Sequence, residues 1–583
     1  MKEAKANPRD NYLVIVPEQF TMQTQRQLVD LSENKAIMNI DVLSFKRLAY
    51  RVFDELGITN LTVLEETGKN LVLRKLAAQE ADKLGVIGRN LNRIGYISEV
   101  KSLLSELVQY NISPEELGRY IASGRLSDTL SDKLKDVLVL YEAFEKFMQD
   151  KYITAEEILN VLSNVAEESA ILRNSVIAFD EFTGFTPIQN QLIKKLFVIS
   201  KKIYVTLTIE CREDIFKSRG MQELFDMPKR TVKSLTEMAA FYGIEVEEPI
   251  ILDKNYRLAE NEELSFMEQQ LFRKRRCSFK KAPKHIHIDC LRDPKQELTK
   301  IARRINELVR NENLRYRDIA IVTGDVNIYA GYVREIFDKY NIPYFIDATQ
   351  EILFHPFIEF IRSIPDIAAQ NFSADAVFRF LRCGFSELLD SEIDVLENYV
   401  LACGVRGKSA WDKKWVRLPK HKAGYDLELL NQSREYIMEL LKPVYQVFSD
   451  KKSTVKDYVL AIYKLIVLLD ISDKLAKKEQ ALLDAGDQTA SKEYGQIYKI
   501  VMQLFEKYVA VLGDECMDAE EFTQILDAGL DAADVAVIPP GYDTVTIGDI
   551  ERTRLTNIKV MFFAGVNDGI VPKAAGRGGI ISQ

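Results

Sequence analysis

The sequence has little of what marks a secreted, zinc-binding or membrane-spanning protein. Its 583 residues include six cysteines, which are widely separated and form no Cys-x-x-Cys pair, so they indicate reduced thiols rather than a disulfide framework or a zinc site. No apolar run approaches the roughly 20 residues that a membrane span requires, and the first residues, M-K-E-A-K, lack the apolar core of a signal peptide. These absences predict a cytoplasmic protein with no membrane association.

The sequence also has no excess of basic residues. Lysine and arginine number 78 against 87 aspartates and glutamates, and the formal net charge of -9 argues against a uniformly basic coat for nucleic acid. Any DNA contact would come from local basic stretches, of which residues 273–284 are the longest, with R-K-R-R followed by three lysines. We interpret this stretch as a solvated linker between domains, and a phosphate-contacting strip is the alternative.

Two adjacent carboxylates follow the most informative apolar run of the chain. Residues 176–179 (V-I-A-F) are typical of a strand buried on both faces, and Asp180 and Glu181 come directly after it. In open α/β sheets ligands bind at the carboxyl ends of the strands, where nucleotide motors place their magnesium and water-activating acids. The pair therefore predicts either a magnesium and water site or an acidic strand end that is merely solvated.

Short apolar runs alternating with amphipathic stretches predict an α/β fold with two parallel sheets, each interrupted by a mainly helical insertion. Capping residues predict two helix starts sharply, at Ser44 and at the T-P-x-Q of residues 186–189. The predicted domains are a first lobe (1–60 and 172–272), a helical insertion (61–171), the basic linker (273–284), a second lobe (285–349 and 541–583) and a second helical insertion (350–540).

Three other motifs point to chemistry only weakly. Residues 285–290 (H-I-H-I-D-C) predict a strand with two histidines on one face, and two ligands without a third favour an ordinary strand over a metal site. Gly-Lys-Ser at 407–409 lacks the upstream glycine of a phosphate loop and lies in a helical stretch. Gly-Lys-Asn at 68–70 lacks the hydroxyl that binds magnesium.

Five stretches, in this order along the chain, carry a resemblance to a known family: residues 13–23 (L-V-I-V-P-E-Q-F-T-M-Q), 42–53 (V-L-S-F-K-R-L-A-Y-R-V-F), 179–189 (F-D-E-F-T-G-F-T-P-I-Q), 316–346 (Y-R-D-I-A-I-V to N-I-P-Y-F-I) and 548–572 (G-D-I-E-R-T-R-L to G-V-N-D-G-I-V-P). Together they resemble superfamily 1 helicases, and more closely the B subunits of the bacterial AddAB (RexAB) helicase-nucleases, which process DNA double-strand breaks. The resemblance implies two RecA-like lobes (1A and 2A) with helical insertions (1B and 2B), and it implies a Walker-B-like position for Asp180 and Glu181.

Nine side chains at or beside strand ends are candidates for holding single-stranded DNA. Aromatic rings can stack on bases at ~1–3 kcal/mol each, arginines can meet phosphates or base edges, and polar neighbours offer hydrogen bonds. For each aromatic side chain, packing in the core is the alternative. The candidates are Gln19, Thr21, Phe45, Arg47, Tyr50, Phe182, Phe185, Arg552 and Arg554.

The sequence also departs from the family pattern. The Walker A loop, G-x-x-G-x-G-K-[ST], is missing before the first strand, so Asp180 and Glu181 have no phosphates to act on and form an incomplete site. Gly324 stands where active relatives carry a phosphate-reaching arginine. The last motor arginine and the nuclease domain with its cluster cysteines are expected beyond residue 583, so we interpret the chain as truncated at both ends. The cofactors implied for the intact family are ATP, Mg²⁺ and a 4Fe-4S cluster, none of which has a complete site here.

Three functions are consistent with these residues. The first is the single-stranded-DNA-holding, signal-scanning half of a B subunit that works in a heterodimer with an AddA-like helicase-nuclease subunit on single- and double-stranded DNA in recombinational repair. The second is an active ATP-dependent helicase subunit whose Walker A loop lies upstream. The third is a scaffold without catalysis that docks the A subunit.

Overall fold

The computed structural model describes most of the chain as two compact units. One unit contains Met1–Val63, Leu103–Tyr120 and Met148–Glu297, and the other contains Leu64–Ser102, Ile121–Phe147 and Leu298–Gln583. The described residues are all but 60–62, 87, 89–95, 124–125, 150–151, 211–213, 221, 274–276, 348–349, 353, 420–423, 532–533, 536–542, 552, 554, 556 and 575–583.

The elements of the described residues are numbered in chain order. The strands are β1 (Asn11–Ile15), β2 (Ile40–Leu43), β3 (Val63–Leu64), β4 (Ile153–Thr154), β5 (Ser175–Phe179), β6 (Lys202–Val205), β7 (Ile319–Thr323), β8 (Tyr344–Ile346), β9 (Gln350–Glu351), β10 (Asp534–Val535), β11 (Val545–Asp549) and β12 (Val560–Ala564). The helices up to the second sheet are α1 (Lys2–Ala6), α2 (Thr21–Leu31), α3 (Phe45–Leu56), α4 (Glu66–Gln79), α5 (Tyr96–Gln109), α6 (Pro114–Ala122), α7 (Asp128–Met148), α8 (Ile158–Val165), α9 (Ala170–Arg173), α10 (Pro187–Ile199), α11 (Asp226–Phe241), α12 (Glu262–Gln270), α13 (Pro294–Asn311) and α14 (Asn327–Lys339). The remaining helices are α15 (Pro356–Ala369), α16 (Ala374–Leu381), α17 (Asp390–Cys403), α18 (Lys408–Asp412), α19 (Leu427–Ser449), α20 (Val455–Leu468), α21 (Ile471–Asp484), α22 (Gln488–Leu512) and α23 (Ala519–Asp531).

The first unit is built on a parallel sheet with the strand order β2-β1-β5-β6. Apolar residues of β1 and β5 pack with α3, α8 and α10 in one core, in which Leu13, Ile177 and Leu192 are at most 1% exposed. Because β5 lies inside the sheet, four of its five residues are buried, as the continuous apolar run predicts.

The second unit contains another parallel sheet, in the order β12-β7-β11-β8. All five residues of β7 are buried, and α13 and α14 pack with this sheet in a core of their own. Helices α15 to α23 lie in sequence between β9 and β10 and form a separate helical core. The predicted α/β fold with two parallel sheets and helical insertions is confirmed.

Helix α4 shows that the helical core of the second unit also recruits a distant stretch of sequence. Leu71 of α4 is 1% exposed and belongs to the same apolar cluster as α15 to α23. Arg74 donates a hydrogen bond to the Gln524 carbonyl oxygen (3.2 Å), and the Lys75 ammonium pairs with Glu515 (2.6 Å). The predicted domain boundaries remain a prediction, because the two compact units share the stretch between residues 61 and 171.

Both predicted helix starts have the expected caps. The Ser44 hydroxyl accepts a hydrogen bond from the Arg47 backbone N–H at the start of α3. The Thr186 hydroxyl accepts from the Gln189 N–H, and the Gln189 side chain accepts from the Thr186 N–H, which completes a capping box with Pro187 at the first helical position. Local sequence therefore fixes where both helices begin.

The predicted strand at residues 285–290 is wrong, because these residues form no strand in the structure. The carboxylate of Glu263, at the start of α12, instead accepts hydrogen bonds from the backbone N–H groups of Lys284 (2.7 Å) and His285 (2.8 Å). These hydrogen bonds, first that from His285, lower the pKa of Glu263. A side chain far away in sequence thus occupies the amides that a strand ladder would use.

The basic stretch before it makes contacts within the first unit. Arg273 pairs with Glu210 (2.9 Å) and lies over the ring of Phe225, and Lys281 pairs with Glu262. Residues 274–276 lie outside the described residues.

None of the helices in the described ranges is long and apolar enough to cross a membrane.

A buried histidine predicts acid sensitivity in the second unit. His355 is 3% exposed, its Nδ1 accepts the Phe357 N–H (3.1 Å) at the start of α15, and burial lowers its pKa to about 4. Below the ordinary pKa of about 6.5 the unfolded chain binds a proton that the folded chain does not, so this stabilisation is complete above pH 6.5 and is lost towards pH 4. We expect a loss of up to about 3 kcal/mol in the free energy of unfolding across that window.

The measurement is urea unfolding at several pH values, followed by tryptophan fluorescence, since Trp411 and Trp415 both belong to the second unit. His355→Asn is the control, because asparagine can cap the helix without titrating. The difference between the two proteins should grow as the pH falls from 6.5 to 4. An equal pH dependence in both would show that His355 does not titrate on unfolding.

Candidate nucleic-acid interface

The carboxyl ends of the first sheet bring three of the resembling stretches together. Strands β1, β2 and β5 are neighbours and run in the same direction, so residues 16–21, 44–47 and 180–186 follow adjacent strand ends. A short 3-10 turn, Glu18–Phe20, connects the end of β1 to α2. This edge is the place where α/β sheets bind ligands.

The two acids directly after β5 occupy the predicted strand end. The Asp180 backbone N–H donates to the Ile15 carbonyl (3.0 Å), and its carboxylate accepts a hydrogen bond from the Thr206 hydroxyl after β6. Glu181 adopts a left-handed backbone conformation with φ of 65°, which is uncommon for a residue other than glycine. The described residues before β1 are the five-residue helix α1 and a turn, so they do not fit a phosphate-binding cradle.

Glu18 organises the polar side of this edge. Its carboxylate accepts hydrogen bonds from the Ser44 hydroxyl and from the Arg47 Nε (3.1 Å). Arg47 is about half exposed while it makes this contact, so its guanidinium remains accessible to a ligand. Gln19 is also exposed, whereas Thr21 is 4% exposed and donates its hydroxyl to the Glu18 carbonyl (3.0 Å). The prediction that Thr21 faces DNA is therefore wrong for this conformation, because its side chain is buried.

Four phenylalanines form an aromatic cluster at the same edge: Phe45, Phe179, Phe182 and Phe185. The ring of Phe45 lies 5.8 Å from that of Phe179, 5.6 Å from Phe182 and 6.4 Å from Phe185, centroid to centroid. Phe45 is only 7% exposed, so the expectation that it stacks on a base is corrected: neighbouring rings cover it. Phe182 and Phe185 are half-buried, with ring centroids 5.2 Å apart, and form the accessible side of the cluster.

Tyr50 lies on α3, away from this cluster. It is 39% exposed and its ring meets that of Phe53 edge to face at 6.3 Å. Its ring is therefore accessible, and its contact with DNA stays a prediction.

A cleft beside Phe185 contains functional candidates that the sequence did not suggest. Its volume is about 390 Å³, and Phe185 shares it with Tyr110, Met227 and Arg230. Tyr110, directly after α5, is 61% exposed, and Arg230 of α11 pairs with Asp226 (2.8 Å) while its side chain is 54% exposed. These residues come from stretches about 75 and 45 residues away from Phe185, and no local pattern in the sequence joins them.

The second sheet carries the other predicted arginines. Arg552 and Arg554 lie outside the described residues. Gly324, directly after β7, is closely packed: a Cβ at this position would lie 2.5 Å from the Ile570 carbonyl oxygen and 2.9 Å from Val571 Cγ2. The loop after β12 therefore occupies the space where an arginine side chain would leave the backbone.

The weaker motifs have structural roles. Gly407 precedes α18 with φ of 76°, and the Lys408 ammonium pairs with Asp412 (2.6 Å) in the same helix. Residues 68–70 lie inside α4. In the described part of the chain no group of three histidine, cysteine, aspartate or glutamate side chains is arranged to hold a metal ion.

Comparison with known proteins gives one consistent result. Residues 1–268 match the family described as ADDB, N-terminal. A protein of Lachnoclostridium phytofermentans is 40% identical over 99% of this chain and 51% of its own length, and proteins of Clostridium acetobutylicum and Clostridium novyi are 32% and 31% identical over 98% and 100% of this chain. All three are B subunits of an ATP-dependent helicase/deoxyribonuclease by name, and the chain covers 50–51% of their lengths. The chain is therefore similar along its whole length to helicase/deoxyribonuclease B subunits, matches the N-terminal AddB family over residues 1–268, and spans about half the length of these relatives.

Proposed function

We propose that this part of an AddB protein holds single-stranded DNA across the carboxyl edge of its first sheet, as part of a helicase-nuclease that processes double-strand breaks for recombinational repair. The observation that carries the proposal is the pair of half-buried rings, Phe182 and Phe185, beside the exposed Gln19 and the half-exposed Arg47. Aromatic faces beside a cation are the combination that binds single strands with little sequence preference.

The packing of this edge supports a preformed site. The rings of Phe45 and Phe179 support Phe182 and Phe185 from the core side, so little freedom is left to lose when a base stacks on them. Glu18 orients Arg47 by accepting a hydrogen bond from the Arg47 Nε–H. A ligand phosphate would still find guanidinium donors, because arginine has five N–H groups.

The cleft beside Phe185 extends the same surface. Tyr110 offers a second aromatic face and Arg230 a second cation at the rim of a space of about 390 Å³. We propose that a nucleotide of the bound strand enters this cleft. The proposed partner is an A subunit, since the relatives are B subunits of a larger enzyme.

Phe182→Ala is expected to weaken binding of a single-stranded oligonucleotide about 5- to 150-fold, which corresponds to the ~1–3 kcal/mol of one base–aromatic stack. Fluorescence anisotropy with a labelled oligonucleotide at fixed salt measures the effect. Phe216→Ala is the control, because Phe216 is 47% exposed in the same unit and outside this edge. Equal affinities of the two variants would contradict the proposal and leave a scaffold role in its place.

ATP hydrolysis by the intact protein is the alternative that the acids of β5 suggest. Its test is DNA-stimulated ATPase activity in the full-length protein, with Asp180→Asn as the variant. We favour strand holding for this part of the protein, because the half-buried rings of Phe182 and Phe185 and the half-exposed Arg47 lie at the same sheet edge.

A further inference from the structure

A long, exposed segment follows α11 in the first unit. Residues 242–256, here called the acidic–apolar segment, read Y-G-I-E-V-E-E-P-I-I-L-D-K-N-Y, and every one of them is exposed. Their apolar side chains include Val246 (56% exposed), Ile250 (83%) and Leu252 (90%). Several large apolar side chains exposed within one short segment are typical of an interaction site.

The middle of this segment also lacks backbone hydrogen-bond partners within the described chain. In the described chain the amides and carbonyls of residues 245–253 form no backbone–backbone hydrogen bond, and the residues belong to no helix or strand. The segment runs past β6, the edge strand of the first sheet, where Glu247 pairs with Lys202 (2.6 Å). A backbone without hydrogen-bond partners, carrying exposed apolar side chains, can pair with a further strand.

The charges of the segment restrict what it can pair with. It carries Glu245, Glu247, Glu248 and Asp253 against Lys254, and of these acids Glu247 has an ion pair among the described residues. A second copy of the segment would place acids against acids, which is destabilising across a strand pair. A strand with lysine or arginine between apolar residues can form hydrogen bonds with the backbone, cover the apolar side chains and pair with the acids.

We infer that the acidic–apolar segment is a docking surface for an extended, basic and apolar strand of the partner A subunit, which adds to it by backbone pairing. A helix would cover the apolar side chains but leave the amides of residues 245–253 without partners, whereas a strand provides for both. The inference rests on the proposed function for the existence of the partner. It places the partner at a surface distinct from the aromatic edge.

The test uses the full chain and a separately purified A subunit from the same genome. Hydrogen–deuterium exchange should show fast exchange of the amides of residues 245–253, Pro249 excepted, in the free chain and at least tenfold slower exchange in the complex. Leu252→Asp should raise the dissociation constant at least tenfold, whereas Ile288→Asp should change it less than twofold, because Ile288 is a matched control at 94% exposure in the same unit.

A second pair of variants tests the charges. Glu248→Lys should weaken the complex and reduce its salt dependence, and Glu260→Lys, at another exposed position nearby, should not. A complex that forms with the segment unprotected would overturn the inference and leave the proposed partner in place. Absence of any complex would overturn both, and protection of the segment through self-association alone would show that the occupant is a second copy.

Discussion

Phe45→Ala should reduce the free energy of unfolding of the first unit by about 3–5 kcal/mol, the usual cost of removing a buried phenylalanine ring. The ring is 7% exposed and lies within 6.4 Å, centroid to centroid, of three other phenylalanines. Its removal leaves a cavity between α3 and β5, and it removes the support of Phe182. DNA binding should therefore also weaken, as a consequence of lost packing.

The first unit contains no tryptophan, so hydrogen exchange of the α3 amides is the appropriate measurement. Tyr50→Ala is the matched control on the same helix. Because Tyr50 is 39% exposed, its loss should cost less than about 1 kcal/mol. A Phe45→Ala protein with unchanged exchange and selectively weakened DNA binding would show that the ring meets DNA directly, as the sequence alone suggested.

Gly529→Ala should destabilise the second unit by about 2–3 kcal/mol, although alanine is ordinarily the better helix former by about 1 kcal/mol. A Cβ on Gly529 would lie 2.9 Å from Tyr508 Cζ, overlap its hydroxyl oxygen and lie 3.1 Å from Leu504 Cδ1. Tyr508 cannot move away easily, because it is fully buried and its hydroxyl makes hydrogen-bond contacts with the carbonyls of Ile525 (3.1 Å) and Leu526 (3.2 Å).

Gly331→Ala, in the same unit, is expected to increase the free energy of unfolding instead. Gly331 lies within α14, and no atom of the described residues outside the helix's own backbone approaches the position of its added Cβ within 4 Å. We expect a gain of about 0.5–1 kcal/mol there. Urea unfolding followed by tryptophan fluorescence measures both. Equal effects of the two substitutions would mean that the contact with Tyr508 does not limit Gly529.

Patterns within a few residues predicted strand β5 and the starts of α3 and α10 correctly. The apolar run of β5 and the caps at Ser44 and Thr186 depend on neighbouring residues alone, so they could be read from the sequence. Residues 285–290 have an equally good local strand pattern, yet they form no strand. The backbone N–H groups of Lys284 and His285 donate instead to the carboxylate of Glu263, which is 21 and 22 residues away in sequence. The alternation of apolar and polar residues within a short stretch cannot reveal a hydrogen-bond acceptor that lies elsewhere in the sequence.

In the candidate site, too, some features depend on neighbouring residues and others on contacts between distant ones. Sequence placed Phe182 and Phe185 at the correct strand end, because strand polarity determines where the following loop lies. It could not determine that Phe45 turns into the core or that Thr21 hydrogen-bonds to its own turn, since both depend on the packing of three strand ends. Tyr110 and Arg230 join the cleft through tertiary packing alone, and only the structure shows them there.

The crowding around Gly324 restricts which residues this position can accept. The Ile570 carbonyl oxygen that lies 2.5 Å from the place of a Cβ belongs to the backbone, so no side-chain rotation can make room. Any residue with a Cβ at position 324 would meet this obstacle, whatever the rest of its side chain. The loop after β12 would have to move first, so a substitution of Gly324 is expected to require a compensating change in that loop.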